Sequence, residues 1–441
     1  MSFDFSSFLG ACAEARRIAF SFSNPLIVHH LDADGVSSGA IVESAFRAGW
    51  KKHRRICIKK LGDMELDSLK DEKEIIFVDL GGGNPRVNEL HDVLIIDHHQ
   101  TKDVTKHQIN PLLYGIDGGD ELSAAGTAAL VFDTHYDLGV VGAIGDMQYP
   151  LRGANRLLIE KGKERGEIEL ANELRMFGRY SRPIIQFLAY SDEPYLPGLS
   201  FNEQNTEKFL ADLQIPVQKG EKWRTYSDLN AAEKKKLVSA LTDLLVEKGR
   251  AYASQNLVGE SYLLTKRERT SETYDASEFS TMLNACGRHG RPDIGVAVCL
   301  GEKWAEKEAS DLLRLHKTRI REGILFARES IVDFGPFLFL DARDKIEDSI
   351  VGIVCGMAIG GSPKPIIGIA SSEDGKAIKV SARGTRAQIN AGLNLGNAMA
   401  AAVKASGGVG GGHKIAAGAN IPSENLNLFL TSLADFLRQK P

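Results

Sequence analysis

Three short segments of this chain, each led by an apolar run of strand length, restrict the fold more than anything else in it. Pro25-Leu26-Ile27-Val28 leads into His29-His30-Leu31-Asp32-Ala33-Asp34-Gly35, Glu74-Ile75-Ile76-Phe77-Val78 into Asp79, and Val93-Leu94-Ile95-Ile96 into Asp97-His98-His99. If the three strands lie parallel and adjacent, their C-terminal ends gather these aspartates and histidines at one rim, where open α/β sheets bind ligands. Carboxylates at that density cannot all stay ionised unless cations neutralise them. The pattern therefore predicts a metal-dependent hydrolase, with two metals.

The surrounding text supports such a sheet. Ser6 to Phe20 has the pattern of an amphipathic helix, and from residue 26 to 146 strand and helix signals alternate. A helix opens at Ser123 with a run of small residues, and Gly142-Ala143-Ile144-Gly145-Asp146 reads as a second turn. Arg156 to Leu199 reads as helical and charged, ending in Pro194-Tyr195-Leu196-Pro197-Gly198. Residues 203–257 read as a polar helical insert; strand text returns at Tyr262-Leu263-Leu264 and Ile294-Gly295-Val296-Ala297-Val298, and a long helix spans Lys303 to Ser330. Beyond it the text turns glycine-rich, with strands over 366–370 and 377–383 and then Gly407-Gly408-Val409-Gly410-Gly411-Gly412-His413. The expected fold is α/β, with a doubly wound parallel sheet over 1–200, a helical insert over 201–258, the rest of the catalytic region with a connecting helix over 259–332, and a smaller α/β domain over 333–441.

Composition narrows the class. A chain of 441 residues suggests two or three domains, and a net charge of −4 excludes a generally basic nucleic-acid binder. The charge is uneven: Pro336 to Pro441 carries 11 Lys/Arg against 8 Asp/Glu. A basic end beside an acidic remainder suits a polyanion held at one place and cut at another. Five scattered cysteines with no C-x-x-C pair argue against a disulfide framework and a thiolate zinc site, and favour a reducing compartment. With neither a signal-peptide pattern nor an 18-residue apolar run, a cytoplasmic protein with no membrane association is expected.

A donor set of carboxylates and imidazoles without thiolate suits Mn²⁺ or Mg²⁺. Asp32 and Asp34, two apart on an expected turn, can each reach a different cation, with His30 or its neighbour His29 supplying nitrogen. Asp79 is the natural bridging ligand, His98 the next, and Asp146 completes the set, while Asp97 holds an imidazole in the right tautomer from behind. Two metals ~3.5–4 Å apart can share a hydroxide that attacks phosphorus. Asp117, Asp120 and Glu121 read as loop residues and a helix cap. Arg383, just past a strand and among small residues, can make a bidentate phosphate contact, and the glycine run ending in Gly411, Gly412 and His413 reads as a phosphate-cradling loop.

With these residues in view, the chain resembles the DHH phosphoesterase superfamily, named for the triplet found here as Asp97-His98-His99. Its first motif is similar to His30-Leu31-Asp32-Ala33-Asp34-Gly35, its second to Asp79, its fourth to Asp146, and the mark of its associated C-terminal domain to Gly410-Gly411-Gly412-His413 with Ala416-Ala417-Gly418. Within the superfamily the chain looks like the archaeal RecJ-like exonucleases, including the GINS-associated nucleases. Glu278-Phe279-Ser280-Thr281-Met282-Leu283-Asn284-Ala285-Cys286-Gly287-Arg288 shares in that likeness. Val28 stands where phosphodiesterases of the oligonucleotide and cyclic-dinucleotide type place a histidine, which weakens the resemblance to those branches.

The resemblance implies two Mn²⁺ held by His30, Asp32, Asp34, Asp79, His98 and Asp146, with Asp79, His98 and His99 at the chemistry and His99 on the scissile phosphate. Arg383 and His413 would grip a neighbouring phosphate. The expected activity is Mn²⁺-dependent exonuclease action on single-stranded DNA or RNA, releasing mononucleotides. Two alternatives stand beside it: a scaffold of the replication machinery that binds GINS, and a phosphodiesterase of short oligonucleotides.

Overall fold

The computed structural model describes residues 5–438 apart from 192, 193, 360, 361, 373, 374 and 376. It comprises two compact units, Met1–Leu313 and Arg314–Pro441. The first opens with α1 (Phe5–Ser21), β1 (Leu26–His30), α2 (Ala33–Ala48), β2 (Arg54–Ile58), α3 (Asp63–Ser68), β3 (Glu74–Val78), β4 (Asp92–Ile96) and β5 (His107–Ile109). The five strands make one parallel sheet in the order β2-β1-β3-β4-β5. Alternate residues enter different cores: Ile27, Ile76, Val78, Leu94 and Ile96 face one, Val28, Ile75, Phe77, Val93 and Ile95 the other. Both faces are thus buried, which is why these strands read as unbroken apolar runs.

The helices that cover the first face include α1, α2, α4 (Ala124–Phe132) and α5 (Tyr136–Gly145), followed by α6 (Asn155–Glu164). The small residues of α4 and α5 permit close approach; a Cβ on Gly142 would stand 2.4 Å from both Ala125 Cβ and Asp34 Oδ1.

The text after residue 156 is less helical than the sequence suggests. β6 (Ile168–Leu174) pairs antiparallel with β9 (Val258–Leu264), and the chain between them carries α7 (Ile184–Ala189), α8 (Glu203–Asp212), the short β7 (Gln218–Lys219) and β8 (Lys222–Trp223), α9 (Ala231–Glu247) and α10 (Ala251–Ser254). This segment buries its own core, from Leu174, Met176 and Ile184 through Leu237 and Leu241 to Leu257.

Next come α11 (Ala276–Arg288), α12 (Pro292–Cys299) and α13 (Lys303–Ser330). Residues 294–298, expected as a strand, are helical: Pro292 occupies the first turn, and a helix buried on every side shows no period to distinguish it from a buried strand.

The second unit contains β10 (Val332–Asp333), β11 (Leu338–Asp341), α14 (Val351–Ala358), β12 (Ile366–Ser371), β13 (Ala377–Arg383), α15 (Arg386–Asn390), α16 (Leu395–Ser406), β14 (Val409–Gly412), β15 (Ala416–Pro422) and α17 (Leu426–Arg438). Its mixed sheet runs β10-β11-β12-β13-β15-β14. The glycine run is therefore an edge strand and not a loop: residues 409–412 pair antiparallel with 417–420. Among the described residues no helix is long and apolar enough to cross a membrane.

Candidate metal centre

Neighbouring parallel strands bring the three segments together. β3 lies between β1 and β4, with His29 opposite Val78 and Val78 opposite Ile96, so His30, Asp79 and Asp97 leave the sheet side by side. Asp79 takes a left-handed backbone, φ 62°, while its N–H still donates to the Ile96 carbonyl at 2.9 Å. Aspartate tolerates that region better than most residues, yet the conformation carries strain of the kind found at functional sites.

Asp32 and Asp34 do not lie on a turn, as the following glycine suggested. Asp32 is the N-cap of α2, its Oδ1 accepting the Gly35 N–H at 3.0 Å, and Asp34 sits in the first helical turn. Both Asp34 oxygens accept amides from the start of α4, Ala124 N–H at 2.8 Å and Ala125 N–H at 2.9 Å, so a helix N-terminus faces a negative group.

Two overlapping groups of potential ligand atoms result, each within 4.8 Å: His30, Asp32 and Asp79 in one, Asp79, Asp97, His98 and His99 in the other. Asp79 belongs to both. His30 Nδ1 lies 3.0 Å from Asp32 Oδ2 and 3.2 Å from Asp79 Oδ2. His98 Nε2 lies 3.2 Å from Asp79 Oδ1 and 3.7 Å from Asp34 Oδ2, and its Nδ1 is 3.7 Å from Asp146 Oδ2. The structure thus brings His30, Asp32, Asp34, Asp79, His98 and Asp146 to one rim; Asp34 and Asp146 lie outside the two tight groups, at 3.7 Å from opposite nitrogens of His98, whereas Asp97 and His99 lie within one.

His29 lies elsewhere. It is fully buried, with Nδ1 on the His30 carbonyl at 2.7 Å and Nε2 3.1 Å from the Arg55 guanidinium. Burial and Arg55 push its pKa down to about 3, which marks a neutral core histidine.

Charge at the rim is strongly redistributed. Burial works against a charged His30, but its bonds to Asp32 and Asp79 outweigh this and push the pKa up to about 11. Asp34 is pushed up to about 8 by burial and by the Asp79 charge. Asp146 rises to about 6 through burial, with His98 opposing and Asp79 adding repulsion. Asp97 is held down at about 2 despite burial, because His99 bonds to it. Asp97 is saturated by main-chain and side-chain donors: Gly82 N–H on Oδ2, and His98 N–H, His99 N–H and His99 Nδ1 on Oδ1. It therefore orients His99 (2.8 Å) and not His98.

Two buried atoms here have no hydrogen-bond partner among the described residues, Asp79 Oδ1 and His98 Nε2. They stand 3.2 Å apart as an ion pair without hydrogen-bond alignment: burial opposes a charged His98, but Asp79, with Asp34 and Asp146, raises its pKa well above the ordinary histidine value. Orphaned buried polar atoms are costly in a folded protein, and an anionic oxygen beside an imidazole nitrogen is a donor set for a divalent cation. The residues fit such an ion.

Several supports gave no sequence signal. His98 Nδ1 bonds the Gly118 carbonyl at 2.6 Å, Gln148 Nε2 bonds the same carbonyl at 2.8 Å and Asp146 Oδ2 at 3.0 Å, and Asn284 Oδ1 accepts the Ala33 N–H at 3.0 Å. Asn284 lies within the stretch already noted on α11; Gln148 had nothing to mark it.

In the second unit, Arg383, Gly412 and His413 share one end of the sheet, since Arg383 pairs with Ala416 and Gly412 with Ala417. The Arg383 guanidinium, half-buried, bonds the Ala382 carbonyl at 2.9 Å and overhangs Gly352 in the first turn of α14. Burial lowers its pKa. His413 is exposed, its N–H on the Ala416 carbonyl at 2.8 Å, and Gly411 faces open space.

Over 434 residues the chain is 30% identical to an uncharacterized protein of Methanocaldococcus jannaschii, covering 94% of this chain and 93% of that one. The DHH-CID domain family matches residues 176–258 and the DHHA1 domain family residues 335–439. The chain belongs to the DHH superfamily. Within it, RecJ from Thermus thermophilus in complex with Mn²⁺ superposes on all of this RecJ-like chain with a TM-score of 0.61 at 16% identity, the match covering 56% of the RecJ chain. The same RecJ is known with Mg²⁺. CDC45 from Entamoeba histolytica superposes with a TM-score of 0.63 at 13% identity, over 98% of this chain and 99% of its own.

Proposed function

We propose that this RecJ-like protein is a divalent-metal phosphodiesterase that degrades single-stranded DNA or RNA from an end, with two Mn²⁺ as its ions and Mg²⁺ as a substitute. His30, Asp32, Asp34, Asp79, His98 and Asp146 would hold the metals. When bound, such ions neutralise charge on the phosphate and supply an activated water. The observation that carries the reading is Asp79, a strained and buried carboxylate shared by both ligand groups, with one oxygen left unpartnered beside His98.

The protein's own groups have separate tasks. His99, with its side chain 57% exposed, is held at Nδ1 by Asp97, which raises its pKa and so favours the imidazolium. Its Nε2–H is then free to donate to a non-bridging phosphate oxygen as negative charge grows there. Arg383, with the Gly411, Gly412 and His413 end of the second sheet, would take a further phosphate of the strand, which favours a polymer over a dinucleotide. An unpaired strand can be held by several such contacts without base reading.

The test is digestion of end-labelled DNA and RNA oligomers of graded length with Mn²⁺, each labelled separately at either end. Mononucleotide release that persists or grows with length supports the reading. Activity that falls beyond a few nucleotides defeats the polymer assignment in favour of a short-oligonucleotide phosphodiesterase. A role as a GINS-binding replication scaffold is a second reading, favoured by the full-length likeness to CDC45; a pull-down with GINS using Asp79→Asn separates it from catalysis.

A further inference from the structure

We infer that Gln148, locked by Asn155, is the positioning residue for the ion that Asp34, Asp79, His98 and Asp146 would hold; the inference rests on the metal reading above. Gln148 is fully buried. Its amide group has two N–H bonds to give, and both go to the cluster: one to the Gly118 carbonyl at 2.8 Å, the other to Asp146 Oδ2 at 3.0 Å. The Gly118 carbonyl also takes the proton on His98 Nδ1, at 2.6 Å. That bond commits Nδ1 to a hydrogen, so Nε2, which faces Asp79 and Asp34, is the nitrogen available to an ion. One side chain thereby braces two of the four ligands.

Asp146 has particular need of such a donor. It is the C-cap of α5, where the carbonyl end of the helix disfavours a negative charge. Among the described residues, Gln148 is the hydrogen-bond donor recorded on its carboxylate. The chain reaches this position through Met147, a non-glycine residue at φ 62° that is 85% exposed. The left-handed step turns residue 148 inward beneath α5, where its own N–H bonds the Ala143 carbonyl at 3.0 Å.

An amide could turn over and present oxygen to the same two acceptors. Two acceptors already disfavour this, and Asn155 adds to it: its Nδ2 donates to Gln148 Oε1 at 2.8 Å, with Asn155 fully buried at the start of α6 and its own Oδ1 without a hydrogen-bond partner among the described residues. The orientation of Gln148 is thereby reinforced by a residue that touches no proposed ligand. Gly118 has an equally strict place, since a Cβ there would stand 2.1 Å from the His98 carbonyl oxygen.

Two full-length variants test this by Mn²⁺ titration, reading free Mn²⁺ by electron paramagnetic resonance, alongside thermal melting. Gln148→Met keeps the length and removes both donors. Asn155→Leu keeps the size of the side chain and removes the donor on Gln148 Oε1. Each should weaken one of the two Mn²⁺ equivalents about 10- to 100-fold, the usual loss on removing a partner of a metal ligand, with the other equivalent and the melting temperature nearly unchanged. Wild-type binding of both ions in both variants overturns the assignment; so does a parallel loss of both equivalents with a lowered melting temperature, which is what a merely structural residue gives. Wild-type protein that takes up no Mn²⁺ overturns the metal reading itself, a result distinct from two ions bound equally by wild type and Gln148→Met.

Discussion

The two sheets present their candidate residues in opposite ways. At the rim of the parallel sheet Asp34, Asp79, Asp97 and His98 are buried, and the hydrogen bonds they make are to main-chain amides, a carbonyl or neighbouring imidazoles. At the end of the mixed sheet Arg383 is half-buried, His413 is exposed, and the bonds recorded for both run to main-chain carbonyls. The difference follows from the tasks proposed. Bringing several carboxylates together needs a rigid surrounding of donors, because each misplaced anion in a poorly solvated site is costly. Gripping a phosphate needs a cation and main-chain N–H groups within reach, and tolerates slack.

The contrast is broken most forcefully at Asp79. Asp79→Asn keeps a residue type that accepts the left-handed backbone and removes the shared charge. Nuclease activity with Mn²⁺ should fall about 10³-fold or more, while circular dichroism and the melting temperature stay close to wild type, since a repelling buried charge is gone. Robust residual digestion of single-stranded oligomers would show that the rim is not the reaction centre.

A buried acid away from the rim shows what burial does without metal chemistry. Glu278, in the first turn of α11, accepts the Gly178 N–H at 2.7 Å and the Ser181 hydroxyl at 2.8 Å, beside the buried pair of Arg179 and Asp275. Burial, with Asp275 repulsion, pushes its pKa up to about 7. The folded protein therefore holds this proton more tightly than the unfolded chain. Its stabilising effect is complete below the ordinary glutamate pKa of 4.5 and is lost as pH rises towards 7. Glu278→Gln should flatten the stability slope across that window, by up to about 3 kcal/mol, as read by urea denaturation at a series of pH values. An unchanged slope would mean that Arg179 already balances the charge.

In the second unit the expected losses are smaller and of another kind. Arg383→Ala should lower kcat/KM on long oligomers about tenfold, roughly 1.4 kcal/mol, chiefly through KM. Activity on a dinucleotide should hardly change. A fall in kcat on every substrate alike would move Arg383 from gripping to chemistry and erase the proposed division between the two sheets.

How legible each region was in the sequence follows the same division. The parallel sheet and its rim could be read because buried parallel strands are unbroken apolar runs, and their charged residues stand out at the ends. His29 against His30 could not be separated by chemistry, since alternation along β1 decides it: one ring enters the core and its neighbour the rim. Asp34 was misplaced by a helix beginning earlier than its glycine suggested, because the Asp32 cap outweighs Gly35. The strand at 168–174 was hidden in charged text, since it forms a two-stranded ribbon with partly solvated faces. Gln148 and Asn155 had no signal, because a supporting amide is defined by neighbours distant in sequence, such as Gly118.

The glycine run misread as a loop gives the finest test of the second sheet, because its members differ in what an added methyl meets. Gly412, at φ 138°, has no room: a Cβ would stand 2.7 Å from the Ala416 oxygen and from Ala417 Cα. Gly411, one residue earlier on the same edge strand, has nothing within 4 Å of such a Cβ among the described residues. Gly412→Ala should therefore cost about 1–3 kcal/mol of stability, a backbone effect that says nothing of ligands. Gly411→Ala should leave stability within about 0.5 kcal/mol, and its methyl would project where a phosphate must approach the chain. A few-fold loss of oligonucleotide affinity in Gly411→Ala at unchanged melting temperature would mark the strand as a phosphate platform. Affinity equal to wild type would leave these glycines as residues required only for close packing at a sheet edge.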